Sequence, residues 1–271
     1  MKNFIALLFS LILSLQLTNA QTEKYTAEFN QLNEGPAKLL FQDNFSKPWQ
    51  KDWHLDGKMA RIIQQDNTIK VYAGERVYNE DQSLANEGHL VLWTKQEFEG
   101  DIKIEYDFTR LDTSKYYWVN ILYIQAQGCD DGVHHKDILS WERNIPAMNA
   151  YFDNMNTYHI SYAVQPVLSE GKHEYIRARR YMPQWNNGMK DTALPQEYFD
   201  MNLFKKNITY HITCIKKGCE IYFNVKGDGR NETFYFNASD FPPIKKGRIG
   251  LRQMFTRHSQ YANFKVYRLN N

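Results

Sequence analysis

The chain has 271 residues, a formal net charge of +2 and a mean hydropathy of −0.64. A nucleic-acid partner calls for a strong basic excess, so this near-neutral balance excludes one, while leaving room for a small anion met by a local basic cluster. Beyond the N-terminus no apolar run is long enough to cross a membrane.

Lys2, the apolar run Phe4 to Leu17 and the small residues Thr18-Asn19-Ala20 read as a secretory signal peptide over residues 1–20. The chain is therefore expected to be exported, periplasmic or secreted, with Gln21 as the first mature residue. Residues 21–38 read as a polar, unpatterned lead-in, and residues 39–271 as a single domain.

From Leu39 the sequence alternates period-2 segments with Gly- and Asn-rich turns. "IKVYA" (69–73), "HLVLW" (89–93), "DIKIEYDFTRL" (101–111) and "YWVNILYIQAQ" (117–127) are followed by "YHISYAV" (158–164) and "HEYIRARRYM" (173–182). "ITYHITCI" (208–215), "EIYFNV" (220–225), "ETFYFN" (232–237), "RIGLRQM" (248–254) and "ANFKVYRL" (262–269) complete the series. So many strands without crossover helices predict an all-β fold, an antiparallel two-sheet sandwich of the jelly-roll kind. Segments 128–157 and 183–206 exceed ordinary hairpin loops and are the natural carriers of function. Cys214 and Cys219 flank "IKKG", a hairpin turn; they either bridge it or stay free, and Cys129 is left over. "GCDDG" (128–132) offers two acids of the kind that hold a structural Ca²⁺, but acidic turns without metal look the same and no metal is assigned.

The blocks "VLWTKQEFEGDIKIEYDF", "YHISYA" and "GRIGLRQM" with "YANFKVY" resemble the YesU-like family. The resemblance spans most of Leu39 to Leu269. It implies a concanavalin A-like jelly roll and a setting in bacterial polysaccharide breakdown, with a branch that includes an oligosaccharide dehydratase.

Alternation sorts the side chains. His159 and Ser161 share one face, opposite Tyr158, Ile160 and Tyr162. Arg177 and Arg179 lie between Tyr175 and Tyr181, a pattern suited to gripping an acidic sugar through bidentate forks and stacking rings. In "GRIGLRQMF" Arg252 follows Arg248 and Gly250, whereas Gln253 keeps company with Ile249, Leu251 and Phe255; the two side chains do different jobs, with Arg252 toward a cleft. Trp141, Asn149 and His134 fall in the first long segment and Trp185 in the second.

These residue types suit β-elimination on a uronic acid, whose C5 proton is acidified by the neighbouring carboxylate. His134 or His159 acts as base or acid, with Tyr162 as partner if a bulge turns it to the cleft. Arg177, Arg179, Arg252 and Gln253 hold the anion, with Trp141, Trp185 and Asn149 contributing to binding. The expected partner is an anionic oligosaccharide. A lyase and a dehydratase use the same groups. A non-catalytic glycan-binding module, and a glycoside hydrolase using Glu105 and Asp107 on one face of "IEYDF", are the other readings.

Overall fold

The structure, a computed structural model, describes residues 22–77, 86–113, 118–143, 147–164, 171, 173–185 and 188–270. The signal segment lies outside the described residues. Two antiparallel sheets form. The first contains β1 (Ala37–Asp43), β3 (Arg61–Gln65), β4 (Thr68–Tyr72), β7 (Ile102–Arg110), β12 (Thr209–Lys217), β13 (Glu220–Gly227), β14 (Arg230–Asn237) and β16 (His258–Leu269). The second contains β2 (Trp53–Asp56), β5 (Leu90–Thr94), β6 (Phe98–Glu99), β8 (Asn120–Gly128), β9 (Met155–Tyr162), β10 (Tyr175–Tyr181), β11 (Tyr198–Phe199) and β15 (Lys246–Gln253). The spatial order is β14-β13-β12-β7-β16-β4-β3 in the first sheet and β11-β10-β9-β8-β15-β5-β2 in the second, with β1 beside β16 and β6 beside β15.

The two-sheet sandwich expected from alternation is the observed fold. Ile104, Tyr106 and Phe108 of β7 meet Tyr158, Ile160 and Tyr162 of β9 and Ile249 and Leu251 of β15 in one core between the sheets. Apolar residues at every second position face inward from both sheets, which is what makes each strand stable only as part of the pair.

Each outer face carries a helical segment. Residues 22–34, expected as an unpatterned lead-in, form a helix, α1. Its Tyr25, Phe29 and Leu32 follow an i, i+4, i+7 seam and pack on Ile215, Tyr222 and Tyr235 of the first sheet, with Tyr25 stacked on Tyr235 at 3.9 Å. On the second sheet, the chain between β8 and β9 carries a 3₁₀ turn (Ile138–Ser140) and the short helix α2 (Met148–Asn154). Ile138, Trp141 and Tyr151 from this segment join Val91, Trp93, Ile121, Tyr123 and Tyr181 of the sheet in a second cluster, forming a roof over its outer face.

A disulfide does not form across the β12–β13 hairpin. Cys214 lies opposite Phe223 and points into the core, while Lys217 faces Glu220 at the turn, so the thiols of Cys214 and Cys219 are not cross-strand neighbours and all three cysteines are free.

Candidate functional site

Antiparallel register lays two rows of residues across the outer face of the second sheet. One runs His54, Trp93, Gly250, Tyr123, His159, Arg179; the next runs Asp56, Val91, Arg252, Ile121, Ser161, Arg177. Gly250 is the hinge of the first row. A Cβ there would sit 2.4 Å from the Trp93 ring, and its absence lets Trp93 lie across β15 and stack on Tyr123 at 5.5 Å.

His159 is buried and bonded on both ring nitrogens, Nδ1 to the Tyr181 hydroxyl at 2.6 Å and Nε2 to Ser161 Oγ at 2.5 Å. Burial, followed by the charges of Arg179, Arg252 and Arg177, pushes its pKa well below the usual histidine value, so the ring is neutral. Burial likewise raises the hydroxyls of Tyr123, Tyr151 and Tyr181, which stay protonated and available as donors.

Arg252 is fully buried at the centre of the second row. Its Nη2 donates to His89 Nδ1 at 2.9 Å, and its guanidinium carbon lies 4.9 Å from the centre of the Tyr151 ring. Its Nε and Nη1 have no hydrogen-bond partner among the described residues, and the Tyr123 hydroxyl lies against the guanidinium and Tyr181. A buried guanidinium facing aromatic rings and an imidazole, with no carboxylate beside it among the described residues, is costly unless an anion completes it.

The roof is latched at its edge. Asp56 Oδ2, from β2, accepts from the Tyr151 hydroxyl and from Arg143 Nε, each at 2.5 Å, and Arg143 Nη1 donates to Ile138 O at 2.8 Å. Arg143 also lies over Trp141 and Tyr151.

Among the residues singled out from sequence, His159, Arg177, Arg179 and Arg252 share this face. Arg179 turns its Nη1 to Met189 O and Thr192 Oγ1, both at 3.2 Å, and Arg177 pairs with Glu197 at 3.2 Å while stacking on Tyr175 at 3.7 Å. Trp141 belongs to the buried roof, its Nε1 donating to His135 O at 2.7 Å. His134 sits at the roof's outer edge, bonded to Asp131 Oδ2 at 2.9 Å and set edge-on against Trp141. Asn149 is exposed on α2. Trp185 is 45% exposed and stacks on Phe241, away from both rows.

Three expectations are corrected. Tyr162 does not reach the outer face: it lies in the core and accepts from the Tyr106 hydroxyl at 3.1 Å. The left-handed residue comes one position later, at Ala163 (φ 54°), so Val164 and not Tyr162 joins the outer cluster. Gln253 is buried on the core side, where its amide nitrogen donates to Arg257 O at 2.8 Å and Val71 O at 3.3 Å; it braces the two sheets and cannot touch a ligand beside Arg252. Glu105 and Asp107 lie on the outer face of the opposite sheet. Glu105 pairs with Lys103 at 2.9 Å, and Asp107 bonds His211 at 2.8 Å and Asn263 at 2.7 Å. The whole sandwich separates them from His159, which removes them as partners of this site.

The "GCDDG" turn does not assemble an oxygen cage for Ca²⁺. Asp130 reaches Lys136 at 3.6 Å, while Asp131 accepts from the backbone nitrogens of Val133 and His134. The metal-capable cluster among the described residues is Cys129, Asp131 and His134, whose sulfur and nitrogen donors do not suit a hard cation.

Sequence reasoning missed Trp93, Tyr123, Tyr151, Asp56, Arg143 and His89 as members of the site. Trp93 and Tyr123 were legible as outer-face positions once the strands were registered on Gly250. Asp56, Arg143 and Tyr151 are brought together only by the tertiary fold.

Two antiparallel sheets packed face to face, with one outer face carrying a polar and aromatic site, define a concanavalin A-like sandwich. Solved structures agree on that fold. A protein of unknown function with a galectin-like fold from Bacillus subtilis superposes with a TM-score of 0.64 at 17% identity, over 86% of this chain and 98% of that one. The exoplasmic/lumenal domain of VIP36, in a Ca²⁺/Man3GlcNAc-bound form, matches with a TM-score of 0.53 at 11% identity, over 83% of this chain and 88% of that one. The LamA catalytic domain from Zobellia galactanivorans matches with a TM-score of 0.51 at 14% identity, over 85% and 98%. The model of the family described as a domain of unknown function, DUF1961, matches residues 38–266, and the chain belongs to that family. No curated protein matches the sequence.

Proposed function

We propose that this chain is an exported carbon–oxygen lyase that performs β-elimination on uronic-acid-containing oligosaccharides at the His159–Arg252 face. The observation that carries the reading is Arg252: a buried guanidinium with two unpartnered nitrogens among the described residues, one row from a neutral His159. A uronate carboxylate on Arg252 neutralises the buried charge and stabilises the enediolate that forms when C5 loses its proton.

The His159–Tyr181 pair takes that proton. The C5–H bond breaks, its electrons form the C4=C5 double bond, and the C4–O bond breaks. The departing oxygen collects a proton from the Tyr123 hydroxyl, and the proton taken from C5 passes from His159 through Tyr181 to the Tyr123 phenolate, which resets both groups. Ligand binding prepares the base: the incoming carboxylate cancels the field of Arg252, one of the charges that hold the His159 pKa down, so basicity rises when substrate is seated. The departing oxygen belongs to a sugar in a lyase and to water in a dehydratase. Because the roof buries the face, the Asp56 latch must loosen for substrate to enter.

The test is incubation with saturated and unsaturated uronate oligosaccharides, followed by ultraviolet absorbance of the conjugated double bond and by mass spectrometry. Cleavage with a gain of absorbance indicates a lyase. Loss of one water from the product mass indicates a dehydratase. Saturable binding with unchanged ligand would replace this reading with that of a glycan-binding module.

A further inference from the structure

A cleft of about 510 Å³ opens at the end of the second sheet, lined by Gln127, Asn156, Arg180, Gln184 and the 242–246 segment with Lys245 and Lys246. Arg180 alternates with Arg179 and Tyr181 on β10, so it leaves the strand on the side away from His159. It is 3% exposed, yet no carboxylate pairs with it among the described residues. It is held by neutral acceptors only: Nε and Nη2 donate to Pro242 O at 3.3 and 3.2 Å, and Nη1 donates to Asn156 Oδ1 at 3.3 Å and to Tyr181 O. Lys246 is paired with Glu97 at 2.7 Å, while Lys245 is exposed without an acid partner among the described residues. The cleft thus carries a cationic lining with one guanidinium fixed in place and one ammonium free to move.

The rim supplies the other half of a sugar site. Gln184 lines the cleft, and its neighbour Trp185 is 45% exposed. One face of the indole is backed by Phe241, next to Pro242 in the cleft wall, with ring centres 5.1 Å apart and planes 23° apart. A ring fixed from behind and open in front is a preorganised platform that loses little freedom on meeting an apolar sugar face. The amides of Gln127, Asn156 and Gln184 offer donors and acceptors for hydroxyls.

We infer that this cleft is a second saccharide-binding site, separate from the His159–Arg252 face, that takes an acidic pyranose: the sugar ring lies on Trp185 and its carboxylate or sulfate group meets Lys245 and Arg180. Its role is to hold an acidic glycan chain on the protein without transforming it. The inference rests on this cleft alone and does not require the elimination chemistry.

The experiment uses the full mature chain, its Arg252→Met form, in which the His159–Arg252 face no longer binds, and the Trp185→Ala and Lys245→Ala changes made in each. Both substituted cleft residues are exposed, so folding is preserved, and thermal melts verify it. Calorimetric titration with a uronate oligosaccharide, a sulfated galactan oligosaccharide and a neutral glucan oligosaccharide reads the site. The expected result is binding of the carboxylated or the sulfated ligand, or both, which identifies the acidic group. Each cleft variant should weaken it about tenfold, the scale of a lost charge-assisted or stacking contact. Arg252→Met should retain it, and turnover of short substrates by the cleft variants with Arg252 intact should equal that of the unmodified protein. Equal binding of the neutral glucan, no binding of either acidic ligand, or undiminished affinity when Trp185→Ala and Lys245→Ala are combined in the Arg252→Met protein would overturn the inference.

Discussion

Replacing Gly250 by alanine tests the floor of the site through its packing. The new methyl group would lie 2.4, 2.6 and 2.9 Å from three carbons of the Trp93 ring, against about 3.5–4.0 Å for ordinary carbon contacts. The ring has nowhere to retreat, because Trp93 is fully buried, stacked on Tyr123 and edge-on to Tyr151 at 6.0 Å. Overpacking of this kind costs about 1–3 kcal/mol, and loss of the Trp93–Tyr123 stack adds about 1 kcal/mol. The sum, about 2–4 kcal/mol, corresponds to a melting-temperature drop of about 4–16 °C for a domain of this size. Urea denaturation with tryptophan fluorescence measures the first quantity and a thermal melt the second. Turnover should fall as well, because Tyr123 is displaced beside His159. A Gly250→Ala protein within about 0.5 kcal/mol of the parent, the spread of ordinary surface substitutions, would refute the packing of Trp93 over this strand.

Further outcomes follow from the same contacts. His159 has a folded pKa below its ordinary value of 6.5, so the unfolded chain binds the extra proton; the stability it confers is present above that value and is lost as the pH falls through it. Glu174, raised to about 7, acts in the opposite sense, its contribution fading as the pH rises from its ordinary 4.5 through that value. On going from about pH 7.5 to about pH 5.5 the urea midpoint of the parent should therefore fall relative to that of His159→Phe, in which the Glu174 trend is unopposed; that difference isolates the histidine. Asp56→Ala strands Arg143 and frees Tyr151, at a cost of about 3–5 kcal/mol for breaking a buried ion pair; new proteolytic cleavage at Arg143 under native conditions is the expected readout. Alkylation of the native protein should modify Cys129 and Cys219 and reach Cys214 only after unfolding, without prior reduction.

The fold was legible because both sheets bury one face on the core, so alternation survives in nearly every long strand. It was weakest where an element is short or lies on the outside. The edge strands β2 and β3 carry few residues of pattern, and α1 shows its face only through Tyr25, Phe29 and Leu32 amid polar neighbours. Within the site, alternation alone separates Arg252 from Gln253 and sets His159 opposite Tyr158. It could not place Tyr162, because the outcome turned on whether the backbone went left-handed before or after that residue, and Ala163 is where it does. The Asp56–Arg143–Tyr151 latch was invisible for a different reason: its members lie on an edge strand and on a segment that folds back over the sheet, with 87 and 95 positions of chain between the partners. No local pattern encodes such a meeting.

The central claim concerns the neutral His159 and the anion-seeking Arg252 beside it. It is tested most directly by titrating uronate oligosaccharides into the parent, Arg252→Met and His159→Ala proteins, each carrying Trp185→Ala and Lys245→Ala so that the cleft does not contribute, with ligand mass and absorbance followed in the same samples. The account predicts that the parent transforms the ligand, that Arg252→Met loses both binding at this face and turnover, and that His159→Ala still binds there but leaves the ligand unchanged. Turnover that persists in His159→Ala, or affinity that is the same in Arg252→Met as in the parent, would contradict it.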